Sequence, residues 1–76
     1  MNERQNTVED IISVADRAAS QFSRQASLLG IPFDDVQQEA RLAVLRQYQT
    51  EPDAAKARVW IKARDGARDF LRRERL

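Results

Sequence analysis

The chain has 76 residues, with 42% hydrophobic and 33% charged side chains, a formal net charge of +1, no cysteine and no histidine. That is one small domain without a disulfide framework, without the usual zinc ligands, and without a His or Cys nucleophile, so an enzyme is not expected and neither is a cofactor or a metal. No run of about 18 apolar residues is available to span a membrane, and the N-terminal stretch MNERQNTVED lacks the apolar core of a signal peptide, which makes a cytoplasmic location the default expectation.

The elements expected from periodicity are three helices in one compact all-α domain. The first covers about residues 8–29. Thr7 with Asp10 three residues on has the form of a capping box. Val8, Ile11, Ile12, Ala15, Ala18, Ala19, Phe22, Ala26 and Leu29 then recur at the three-four spacing of one helix face. Gly30 can take the left-handed conformation that ends a helix, and Pro32 blocks its continuation. The second helix covers about 35–48, with Asp34 as its expected N-cap and Phe33 positioned to staple the entry. Val36, Ala40, Ala43, Val44 and Gln47 line one face, and the small Ala40 and Ala43 permit close approach of another helix. Gln38 and Glu39 are expected to point outward beside exposed Leu42 and Leu45, unless the third helix covers those leucines. Thr50 to Asp53 reads as a linker, with Pro52 at or near the start of the next helix. The third helix covers about 54–73, with Ala57, Trp60, Ala63 or Arg64, Ala67, Phe70 and Leu71 on its buried face; Gly66 marks either close packing or a kink.

Charge is unevenly distributed. Residues 1–55 carry five arginines against nine carboxylates, a net −4, whereas residues 56–76 carry eight cations against three carboxylates, a net +5. The last third therefore suits a polyanion such as nucleic acid, or equally a solvated helix end whose dipole favours cations.

The run Asp35-Val-Gln-Gln-Glu39, followed by Ala40, Ala43, Val44, Arg46 and Tyr48, resembles the second conserved region of bacterial sigma-70-family transcription factors. Gly30-Ile-Pro-Phe33 matches the turn that precedes that run in many members. Trp60-Ile-Lys62 and Asp69-Phe-Leu-Arg-Arg73 resemble the next helix, closest to the small extracytoplasmic-function type, with a spacing about two residues shorter. The resemblance spans roughly residues 22–75. It implies docking on the clamp helices of the RNA polymerase β′ subunit through Gln38, Glu39 and Leu45, with Asp35, Arg41 and Leu42 as neighbours. It also implies contact with promoter −10 DNA by the last helix, for which Lys56, Arg58, Lys62, Arg64, Arg68, Arg72 and Arg73 supply the charge. Trp60 is read either as a core residue or as a base-stacking platform.

Two departures qualify the functional expectation. The stretch before Trp60 lacks the aromatic residues that hold flipped bases in housekeeping members, and Val59 stands where a second tryptophan often does. No second helix-turn-helix follows, so −35 recognition would come from a separate helix-turn-helix protein or from the rest of a longer factor. The leading expectation is a sigma-like module that binds polymerase and promoter. The alternatives are a docking inhibitor or appropriator that displaces resident sigma factors, of the kind a phage or mobile element would carry, and a structural helical interaction module that self-associates through Leu42 and Leu45.

Overall fold

A computed structural model of the chain describes residues 6–75. The domain is all-α, but it has four helices, not the three expected: α1 (Val8–Ser20), α2 (Ser23–Leu29), α3 (Phe33–Thr50) and α4 (Lys56–Arg75). α1, α3 and α4 each pack on the other two, and α2 leans on α3.

The extra helix arises because the periodic stretch of residues 8–29 is broken at Gln21–Phe22. There the backbone tightens: the Gln21 N–H reaches the Ala18 carbonyl at 3.3 Å and the Phe22 N–H reaches Ala19 at 2.9 Å, both three residues back. Phe22 takes φ −104°, ψ 6°, outside the helical range, and a new helix starts from its carbonyl, which accepts from the Ala26 N–H at 2.8 Å. The break lets Phe22 lie against the core while Ala26 is fully buried beyond it. A straight helix over 8–29 would run about 33 Å at 1.5 Å per residue, whereas the break divides this stretch into α1 and α2, and α2 packs on α3.

The local signals at the ends of this stretch act as expected. Thr7 Oγ1 accepts from the Asp10 N–H at 3.1 Å, and the Asp10 carboxylate accepts from the Thr7 N–H at 3.3 Å, which completes the capping box. Gly30 adopts φ 74° after α2. Its N–H bonds the Ser27 carbonyl and the Ile31 N–H bonds Ala26, the paired closure of a Schellman motif.

Other boundaries move. α3 begins at Phe33, so Asp34 is not its N-cap; Pro32 precedes it with no side-chain cap, and Asp34 and Asp35 instead place negative charge in the first turn. α4 begins at Lys56, after a turn at Pro52–Asp53. Asn6 holds that turn: its N–H donates to the Pro52 carbonyl (3.1 Å), its Nδ2 donates to the Ala54 carbonyl (2.7 Å), and its own carbonyl accepts from the Tyr48 hydroxyl (3.1 Å).

The core is built largely from alanine. Ala15, Ala18, Ala19, Ala40, Ala63 and Ala67 are completely buried, and the large fully buried side chains are Ile11, Val36, Val44 and Leu71. On α4 the buried stripe is Val59, Ala63, Ala67 and Leu71, with Trp60 and Phe70 half-buried beside it. Ala57, expected in that stripe, is exposed, and so are Val8 and Leu29; Val14, outside the expected face of α1, is buried. Each of these follows from where the neighbouring helices lie, not from spacing along one helix.

Gly66 marks close packing, since α4 continues unbroken through it. A Cβ at this position would sit 2.8 Å from the Ala43 Cβ and 3.3 Å from the Glu39 carbonyl oxygen of α3. Replacing Gly66 with valine forces the helices apart. It should destabilise the domain by about 2 kcal/mol or more, read as a lower urea midpoint, because overpacking costs about 1–3 kcal/mol and valine adds little helix propensity in return. An unchanged midpoint would show that α3 and α4 do not meet as described.

Candidate functional site

The site residues expected from sequence all lie on α3 and α4. On α3, Asp35 and Gln38 are exposed, whereas Glu39, Arg41, Leu42 and Leu45 are half-buried. The leucines are therefore not free-standing apolar groups, and Leu45 packs against the core cluster. What α3 presents is the exposed Gln38 amide, flanked by the carboxylates of Asp35 and Glu39 and by the uncovered edges of two leucines.

Two of these residues also serve the fold. Glu39 Oε1 lies 3.6 Å from Arg73 Nη2, which joins α3 to the far end of α4. Arg41 forms a two-pronged pair with Asp16 of α1, Nε to Oδ1 at 2.7 Å and Nη2 to Oδ2 at 2.9 Å. The hydrogen bond to Asp16 raises the Arg41 guanidinium above its ordinary value; burial opposes this, and the charges of Asp16 and Asp34 add to it. Arg41 is thus a strut between α1 and α3 as well as a neighbour of the expected docking residues. A sequence reading had no signal for Asp16, which lies 25 residues away and on another helix.

On α4, four of the seven cations expected to meet DNA already have carboxylate partners. Arg58 pairs with Glu51 at 2.9 Å, Arg64 and Arg68 share Asp65 at 3.5 and 2.9 Å, and Arg73 reaches Glu39. Lys56, Lys62 and Arg72 are exposed and, among the described residues, make no ion pair. Trp60 is half-buried and packs on the core cluster, as does Phe70. The one tryptophan of the chain is therefore substantially committed to packing.

Between α3 and α4 runs a groove of about 320 Å³ lined by Ala43, Arg46, Gln47, Thr50, Glu51 and Lys62. A second hollow of about 190 Å³, lined by Gln47, Arg58, Ile61, Lys62 and Asp65, adjoins it. Gln47 was legible as part of the inward face of α3, but its polar character on that face is the signal that spacing alone does not interpret. Among the described residues there is no group of three or more carboxylates or other ligating side chains able to hold a metal ion, and no helix is long and apolar enough to cross a membrane.

Comparison with protein-family models, with characterised proteins and with solved structures finds no match to this chain.

The Arg41–Asp16 pair has side chains 42% and 33% exposed, so solvent screening limits its worth. Arg41→Met should lower stability by about 0.5–1 kcal/mol, with Asp16→Asn costing about the same and the double variant costing little more than either. Denaturant titration of the three variants checks this. Fully additive losses would mean that the two side chains do not act as a pair.

Proposed function

We propose that this chain is a sigma region 2-like module that docks on the clamp helices of RNA polymerase β′ through the outer face of α3 and contacts promoter −10 DNA through α4, with −35 recognition supplied elsewhere. The observation that carries the reading is the position of Gln38. It is exposed on α3, beside Glu39 and the partly uncovered Leu42 and Leu45, on a helix whose opposite side is buried against α1 and α4. A polar pair set among aliphatic edges suits the side of another helix: the leucine edges lose water on contact, while the amide and carboxylate fix register through directional hydrogen bonds. Gln38 and Glu39 belong to the run that carries the resemblance to sigma factors, and Leu45 is the docking residue that the resemblance implies by position.

The DNA half rests on charge. Lys56, Lys62 and Arg72 are exposed along α4 without a carboxylate partner among the described residues, and would neutralise phosphates directly. Arg58, Arg64, Arg68 and Arg73 would first have to exchange Glu51, Asp65 or Glu39 for phosphate.

A second reading keeps the docking and drops the promoter: the chain would occupy the clamp helices and displace resident sigma factors. The packing of Trp60 on the core favours it, because holding an unstacked base requires an aromatic face turned to solvent. Transcription with purified polymerase separates the two, since use of new promoters supports the first and loss of housekeeping transcription alone supports the second.

Docking itself is tested by pull-down of the β′ subunit. Gln38→Ala should weaken capture at least about tenfold, the scale of one well-placed interface side chain, and Glu39→Lys should abolish it, both with unchanged helical circular dichroism. Full capture by both folded variants would refute the docking assignment.

A further inference from the structure

Three carboxylates hold four of the α4 cations, and they differ in where they stand. Asp65 belongs to α4 itself, and Glu51 follows the last residue of α3. Glu39 lies inside α3, next to Gln38 and among the residues that the docking proposal uses. Its carboxylate, with Oε1 3.6 Å from Arg73 Nη2, therefore belongs to both candidate surfaces.

The contact is built into the packing. At Gly66 the Glu39 carbonyl oxygen lies 3.3 Å from where a Cβ would sit, so the Glu39 backbone is held close against α4. Arg73 stands two turns further along α4 on the same side of the helix, about 10 Å on at 1.5 Å per residue. A long side chain leans back towards the N-terminus of its helix and covers much of that distance. Both ends of the pair remain partly in water, the Glu39 side chain 32% and the Arg73 side chain 67% exposed, so it exchanges readily for an external partner. A donor placed on the Glu39 carboxylate draws on the same negative charge that holds Arg73. A phosphate on Arg73 draws on the same positive charge that holds Glu39. Each ligand thus removes a competitor of the other, and linkage makes the two effects equal in free energy.

We propose that the Glu39–Arg73 pair couples the two surfaces of this domain: a partner on α3 frees Arg73 for phosphate, and phosphate at Arg73 frees Glu39 for the partner. Arg58, Arg64 and Arg68 stand outside this coupling, because Glu51 and Asp65 are not docking residues. The inference rests on the docking reading for the partner of Glu39, whereas the hold of Glu39 on Arg73 does not. A tie that only braced α3 against α4 would act the other way, since losing it would loosen both surfaces.

The test is a double-variant cycle read with two ligands. The first is a fluorescent oligothymidylate, titrated in low salt and followed by anisotropy. Glu39→Gln should bind it about threefold more tightly than the parent, the scale of one exposed ion pair, and in the Arg73→Gln background the same change should gain clearly less. The second ligand is the purified clamp-helix fragment of β′. Arg73→Gln should bind it about threefold more tightly, where a bracing role predicts weaker binding. With that fragment at saturation, the parent should bind the oligonucleotide about threefold more tightly and Arg73→Gln should show no gain. Equal helicity and melting of the variants show that the fold is kept. The coupling is overturned if Glu39→Gln gains as much without Arg73 as with it, if a folded Arg73→Gln binds the fragment no better than the parent, or if the fragment leaves the parent's oligonucleotide affinity unchanged. These outcomes leave docking itself in place. A parent chain that does not bind the fragment at all refutes the docking reading and this coupling with it.

Discussion

Everything in this domain depends on how closely α3 and α4 approach at Gly66. With the Ala43 Cβ only 2.8 Å from where a Gly66 Cβ would lie, the two backbones are nearly as close as side chains allow. That approach is possible because the facing residues are small, and it is required for the same reason. Alanine removes little apolar area from water, so a core of alanines stabilises through close packing of backbones and methyl groups, not through bulk.

A thin core leaves work for polar contacts. Arg41 and Asp16 tie α1 to α3, Glu39 and Arg73 tie α3 to the end of α4, and Asn6 with Tyr48 ties the entry of α1 to the turn before α4. Each is partly solvated and individually modest. Together they bridge the elements that the small core joins, and several of them use residues that the surface would otherwise present to a partner. Arg41 and Glu39 therefore have two roles, one in holding helices together and one in the surface that the docking proposal uses.

The same economy shapes the two faces considered for function. On α3 Leu45 is partly used by the core and Leu42 is half-buried, which concentrates recognition on Gln38 and the adjoining carboxylates. On α4 the abundance of arginine overstates the available positive charge, because Glu51, Asp65 and Glu39 already hold four of the seven cations. Gln47 differs from all of these. It is buried on the inner side of α3, and its Oε1 has no hydrogen-bond partner among the described residues.

What could be read from the chain was whatever a few neighbouring residues decide. The Thr7–Asp10 box and the left-handed Gly30 were legible because their hydrogen bonds close within one turn. The inward face of α3 was legible because Val36, Ala40, Val44 and Gln47 recur with the helical period. The break at Gln21–Phe22 was not, since the apolar pattern runs straight through it and only the need to seat Phe22 and Ala26 against other helices bends the chain. Nor could spacing decide whether Leu42 and Leu45 face solvent, which carboxylates would engage the arginines, or whether Gly66 is a kink or a contact. By itself, then, the sequence determined that the chain is helical, where most turns fall and which α3 residues turn inward, because these follow from local hydrogen bonding and periodicity. The tertiary structure decided the number of helices, the partners of the charges and the close contact at Gly66, because each of these is set by residues far apart in the chain that meet only when the helices pack.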